Sequence, residues 1–319
     1  MSLIQSIPTY QNDEKFIQYI DLTKEVNNLP VGVNISTMCA TAKIKLLNST
    51  DNSVELNIDN IEKYLRLDSN NIITVKRSTV SNRTFLIQKI KKKRKQVEAP
   101  KKKQINYFYN QITVVIRINE GPTNDINKEP KINLKLFKNG SIQMSGCKSL
   151  YNINVVLNKL VNRLKELQTV VTDDGNEYQI NYLSNPNITI NNFKIDMINS
   201  NYQVNMKIDR ENLYALLKKK SIKCSYEQCI RACVVVKYVP PNYNVDEKQV
   251  SIYIFRKGNI IITGARDRDH IISAYNYINN ILVTHSDEIN MVDESKTDEI
   301  LFKLYEAVMD KVNKGLITL

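Results

Sequence analysis

One hairpin is written twice in this chain. Residues 134 to 148 read "LKLFKNGSIQMSGCK" and residues 252 to 266 read "IYIFRKGNIIITGAR". Aligned without a gap, Phe137 falls on Phe255, Gly140 on Gly258, Ile142 on Ile260 and Gly146 on Gly264, each 118 positions apart. Each copy is a strand, a glycine-centred turn and a second strand. The flanks repeat as well. A strand at Val31 to Leu47 precedes a helix in "LNIDNIEKYL", and "FKIDMINSNYQVNMKI" precedes a helix in "DRENLYALLKKK". The strands "QITVVIRI" (111 to 118) and "RACVVVKYV" (231 to 239) follow, then the hairpins, then "SLYNINVVLNKLVNRLKEL" and "DRDHIISAYNYINNIL", whose apolar residues recur three and four apart as in helices. The order strand, helix, strands, helix therefore occupies residues 30 to 170 and again 180 to 285.

The net charge of +12 is concentrated in one place. Between Phe85 and Gln104 nine Lys and Arg residues stand against the single acid Glu98, a local excess of +8. The run fits a solvated loop, a polyphosphate-seeking arm, or, through "KKKRK", a nuclear localisation signal. No apolar stretch approaches the roughly 18 residues that span a bilayer, and the N-terminus lacks a signal layout, so no membrane partner and an intracellular location are expected. Five cysteines argue against a disulfide framework. Cys224, Cys229 and Cys233 are spaced C-x4-C-x3-C, which matches no common zinc ribbon or finger, so no metal is expected. With two histidines, no glycine-rich phosphate loop and no G-x-S-x-G, the chain offers no nucleophilic or nucleotide chemistry. No catalytic residue, cofactor or small-molecule substrate is expected.

The stretch "IFRKGNIIITGARDRDHIISAYNYINNIL" resembles the C-terminal repeat of the TATA-box-binding protein family: a strand ending in Ile-Phe, a glycine turn, a strand ending in Thr-Gly-Ala and a basic residue, and a long helix. The likeness extends back through "FKIDMINSNYQVNMKIDRENL" and "SYEQC", and more weakly over the first repeat. In its Asn, Ile and Lys bias and large insertion the chain is most similar to the divergent, mimivirus-like members encoded by giant DNA viruses. The resemblance implies an α+β saddle: two pseudosymmetric repeats forming one curved antiparallel sheet, with helices on the convex face. The domains expected are an extension at 1–29 carrying a short helix in "EKFIQYIDLTKEV", a first repeat at 30–170 with a basic insert near 77–105, a second repeat at 171–285, and a helical extension at 286–319. The insert is expected between the first helix and the second strand of its repeat.

The same resemblance, with strand alternation, selects a DNA face. Tyr253, Phe255, Ile261 and Thr263 share one side of the second hairpin; their equivalents are Lys135, Phe137, Gln143 and Ser145. Phe137 and Phe255 match the family's wedge phenylalanines, and Ser145 and Thr263 its base-contacting threonines. Arg117 and Lys237 fall where the family keeps phosphate-binding arginines. The family's second wedge in each half aligns with Gln111 and Arg231, with Phe108 close by. Its central asparagine pair aligns with Thr37 and Met197, with Asn34 and Asn199 nearby; Thr37 and Asn199 are the candidates taken. Glu227 and Ile230 match the patch that contacts a TFIIB-like factor, where Cys229 replaces an acid.

Two functions follow from this resemblance. In the first the chain binds A·T-rich promoter DNA through the minor groove and positions a TFIIB-like factor and RNA polymerase. In the second it is an assembly subunit of a transcription complex with little or no DNA binding of its own. A viral chain would work in the virion or a cytoplasmic viral factory, or in the nucleus if the KKKRK run is read.

Overall fold

Both hairpins close through the same set of bonds. In the computed structural model, which describes residues 16–47, 54–78, 81–86, 109–119, 128–171, 177–230, 232–241, 249–291 and 294–314, the amide of Gly140 donates to the Phe137 carbonyl at 2.9 Å and that of Gly258 to the Phe255 carbonyl at 3.0 Å. Each glycine carbonyl then accepts from the strand that opens its repeat, from Ile44 and from Val204, both at 2.9 Å. The two glycines have φ of +79° and +81°, a region that costs other L-residues roughly 1–2 kcal/mol. Space forbids a side chain too: a Cβ at Gly258 would lie 2.4 Å from the Val204 carbonyl oxygen, and one at Gly140 3.1 Å from that of Ile44.

The chain divides into two compact units, one formed by residues 1–28 and 35–198 and the other by 29–34 and 199–319. In the first, β1 (Asn34–Leu46), α1 (Ile58–Tyr64), β2 (Ile72–Lys76), β3 (Asn82–Thr84), β4 (Gln111–Arg117), β5 (Lys131–Phe137), β6 (Ser141–Cys147) and α2 (Leu150–Lys165) follow in order. The strands pair antiparallel in the spatial order β1-β6-β5-β4-β2-β3. Ile112, Val114, Ile132, Leu134, Leu136, Ile142 and Met144 are fully buried on one face, as are Ile153, Val156, Leu157, Leu160 and Val161 of α2. Each such side chain contributes about 1.5–3 kcal/mol through burial. A separate hairpin, β7 (Gln168–Val171) with β8 (Glu177–Ile180), follows α2.

The division falls inside β9 (Ile188–Gln203), after Ile198. The second unit then has α3 (Arg210–Lys219), β10 (Cys224–Ser225), β11 (Cys233–Tyr238), β12 (Val250–Phe255), β13 (Asn259–Ala265), α4 (Arg268–Thr284), α5 (Ser286–Ile289) and α6 (Glu294–Asn313). Strands β10 to β13 pair in sequence order, all antiparallel. Ile252, Ile254, Ile260 and Ile262 are fully buried on the face that α4 covers with Ile271, Ala274 and Ile278. The helices start where the sequence supplies caps: Asp209 accepts from the amides of Glu211 and Asn212, and Asp267 from that of His270. No helix among the described residues is long and apolar enough to cross a membrane.

Two sequence expectations are corrected here. The segment from Phe16 onward is not an amphipathic helix; only Leu22–Lys24 forms a single 3₁₀ turn. Asn158 and Asn154 of α2 accept from the backbone amides of Ile17 and Tyr19 at 2.8 and 2.9 Å, and the Glu25 carboxylate caps the α2 amides of Leu150 and Tyr151. These contacts hold the segment extended and offset what helix formation would gain. The basic insert does not leave directly after α1 either. Strands β2 and β3 intervene, pinned by Arg83, which donates to the carbonyls of Ile61, Glu62 and Leu65 at the end of α1. Residues 87–108, which carry the lysine run, lie outside the described residues.

Candidate nucleic-acid interface

Alternation in each hairpin leaves one sheet face outside the core. In the second unit Tyr253, Phe255, Ile261 and Thr263 are half-buried between fully buried isoleucines. In the first, Lys135 and Gln143 are exposed while Phe137 and Ser145 are half-buried. The internal register is the same: Lys135 pairs with Gln143 and Asn133 with Ser145, as Tyr253 pairs with Ile261 and Ser251 with Thr263. Directly opposed residues of one face are side-chain neighbours. The face therefore consists of rows that run across the strands.

The rows differ in chemistry. In the second unit one row is Val235, Tyr253 and Ile261, and the next is Lys237, Ser251 and Thr263. Lys237 donates from Nζ to Ser251 Oγ at 2.6 Å, and Thr263 donates its hydroxyl to Asn199 Oδ1. In the first unit the corresponding rows are Thr113, Lys135, Gln143 and Thr41, and Val115, Asn133, Ser145 and Cys39. Thr41 donates to an Asp196 carboxylate oxygen at 3.3 Å. Burial pushes the Cys39 thiol up, and the nearby Asp196 charge adds to the effect. At the turn end of the second unit's face, Phe255, Ile261, Asn201, Gln203, Arg210 and Lys257 line an open cleft of about 720 Å³.

Arg117 is not on this surface. It is 1% exposed, and Glu129 accepts from both Nε and an Nη of its guanidinium, the latter at 2.8 Å, while Ser69 contributes a carbonyl acceptor at 3.0 Å. A phosphate-binding role for Arg117 is thus corrected: its donors are spent inside the unit. Its equivalence to Lys237 is corrected as well. Phe137 faces Gln111 and Phe255 faces Cys233, so the third strands are offset by 122 positions where the hairpins are offset by 118, and Val115 takes the place of Lys237. The residue facing the second hairpin's phenylalanine is consequently Cys233, not Arg231. Arg231 and Phe108 lie outside the described residues.

Thr37 is half-buried on β1, and Asn34 is exposed, its amide donating to the Gly32 carbonyl at 3.1 Å. Asn199 accepts the Thr263 hydroxyl. Glu227 and Ile230 stand on a turn before β11, where the Ile230 amide donates to the Glu227 carbonyl at 3.0 Å, and Ile230 is 75% exposed. Beside it Cys229 is exposed, Cys224 half-buried and Cys233 buried. The sequence reading passed over Thr41, Thr113, Val235 and Asp196. Alternation would have placed the first three on the face; Asp196 joins it only because β9 brings its carboxylate to Thr41.

The family described as "Transcription factor TFIID (or TATA-binding protein, TBP)" matches residues 192–285. A "TATA-box-binding protein-like" protein of Acanthamoeba polyphaga mimivirus is 34% identical over 301 residues, covering 89% of this chain and 72% of the relative. Among solved structures, Methanococcus jannaschii TBP aligns with a TM-score of 0.42 at 16% identity, covering 80% of this chain and 98% of that one.

Proposed function

The chain belongs to the TATA-box-binding protein family, and from that premise we propose that it is a transcription initiation factor that binds A·T-rich promoter DNA through the minor groove and positions a TFIIB-like factor and RNA polymerase. Its fold is the α+β fold of that family. The observation that carries the reading is the face of the second hairpin that lies away from α4, where Phe255, Tyr253 and Ile261 stand half-buried together on strands whose other side is sealed by that helix. A soluble protein that leaves aromatic and branched apolar side chains together on one sheet face has a surface suited to a partner. In the minor groove such side chains press against sugars and base edges and enter an unstacked step, which is least costly at flexible pyrimidine–purine steps.

Phe137 and Phe255 act as wedges in this proposal, Ser145 and Thr263 as base contacts, Lys135 and Gln143 as polar contacts, and Lys237 as a phosphate or sugar contact. Thr37 in the first unit and Asn199 in the second are further DNA contacts in this proposal. Glu227 and exposed Ile230 form the contact for the TFIIB-like factor. The work is binding and bending, without catalysis, inside the cell. The test is affinity and bending of an A·T-rich duplex against a G·C-rich duplex of equal length; equal affinity and no bend would overturn it.

One pair of observations favours the second reading, an assembly subunit with little DNA binding of its own. The residues facing the two hairpin phenylalanines are Gln111 and Cys233, not aromatics, and Arg117 is withdrawn into an ion pair. Under that reading the uncovered face is indifferent to DNA, and the same duplex comparison separates the two.

A further inference from the structure

We infer that the two repeats read DNA with unequal stringency: the face of the second unit penalises a G·C pair more than the face of the first. The inference rests on the minor-groove reading proposed above. It arises from three equivalent positions. Val235, Tyr253 and Ile261 form one continuous row in the second unit, and the same row in the first is Thr113, Lys135 and Gln143. Two aliphatic side chains are thereby exchanged for a hydroxyl and a carboxamide, and an aromatic ring for an ammonium.

In the minor groove A·T and T·A pairs present only acceptors, and a G·C pair adds the amino donor of guanine. When a sheet displaces water from the groove, that donor must find an acceptor or remain unpaired, and an unpaired buried donor is strongly disfavoured. Ile261 supplies none, and Val235, at the end of its row, is apolar and only 2% exposed. In the row beside them Ser251 is buried and accepts from Lys237 at 2.6 Å, and Thr263 spends its hydroxyl proton on Asn199, so the acceptors of this face lie one row away from Ile261. Gln143 has a carbonyl oxygen and Thr113 a hydroxyl, both able to accept. The row continues to Thr41, which is bonded to the carboxylate of Asp196, a further acceptor group. The first unit can therefore satisfy the guanine amino group.

The test is a scan in which a single G·C pair is moved through an A·T-rich duplex and the affinity of the full chain is measured by anisotropy. The expected result is a loss of about tenfold per pair over one half of the site and under about threefold over the other. Gln143→Ile should make the tolerant half stringent, and Ile261→Gln should relax the stringent half. Equal penalties in both halves, or penalties that neither exchange moves in folded protein, would overturn the inference while A·T preference survives. Loss of any A·T preference throughout the wild-type scan would overturn the minor-groove reading with it.

Discussion

Arg117 and Glu129 form a two-pronged ion pair inside the first unit, with the arginine side chain 2% exposed and the glutamate 18%. The two charges stabilise each other, and the Ser69 carbonyl accepts a further hydrogen bond from the guanidinium. Removing one partner leaves the other largely shielded from water and without the opposite charge that faces it here. Arg117→Ala should therefore lower unfolding free energy by about 3–5 kcal/mol in chemical denaturation. Replacing both residues, Arg117→Met with Glu129→Leu, should recover most of that loss, because an apolar pair has no charge to desolvate. DNA affinity per folded molecule should not change in either variant. A large affinity loss with unaltered stability would return Arg117 to the phosphate-binding role.

The two turn glycines predict a graded response. Both have positive φ, but a Cβ would overlap the Val204 and Met206 carbonyls at Gly258 (2.4 and 2.6 Å) and only crowd those of Ile44 and Val54 at Gly140 (3.1 and 3.3 Å). Gly140→Ala should cost about 1–2 kcal/mol from backbone conformation alone, and Gly258→Ala clearly more. Denaturation midpoints of the two variants check the order; a reversed order would mean that the opening strand yields more easily in the second unit.

Apolar wedging should be concentrated in the second repeat. Phe255 has Tyr253 and Ile261 around it, whereas Phe137 has Lys135 and Gln143. Phe255→Ala should reduce duplex bending and cost a few kcal/mol, roughly the free energy of one unstacked step, and Phe137→Ala should cost less. The measurement is bending by energy transfer, with affinity, on variants shown to be folded. Small, equal losses would favour the assembly-subunit reading.

Acid stability has a named contributor. Asp68 is partly buried, which by itself raises its carboxyl pKa, but hydrogen bonds from the Asn70 and Asn71 amides and from Arg163 outweigh burial and hold it below the ordinary value. A carboxyl depressed in the folded state stabilises above its unfolded pKa, about 3.9, and that stabilisation is lost as pH falls through the folded value. Asp68→Asn should lower stability at neutral pH and flatten the acid limb of the stability profile below about pH 4. An unchanged acid limb would remove Asp68 from the account.

The lysine run should add affinity without sequence preference. Deleting residues 86 to 104 removes a local excess of +8 and should make the dependence of log affinity on log salt shallower, with the A·T over G·C ratio intact. A lost ratio with an unchanged salt slope would assign the run a reading role.

The amino-acid sequence by itself determined the hairpins, their Gly140 and Gly258 turns and the faces of their strands. A turn depends on neighbouring residues, and a strand's faces follow from a period of two, so both are written locally. Helices α1 to α4 were legible for the same reason, from apolar spacing and caps such as Asp209 and Asp267. Only the tertiary structure decided which charges remain on the surface. Arg117 reads as an exposed strand cation until Glu129 is brought against it across a stretch of chain whose course no periodicity encodes. Tertiary pairing also set the register of β4 and β11, where the partner strand selects Gln111 and Cys233 as the residues facing Phe137 and Phe255. The segment at Phe16 to Ile20 has helical spacing, yet Asn154 and Asn158 hold its backbone extended, because side-chain acceptors on a neighbouring helix satisfy amides that an isolated segment would have paired within itself.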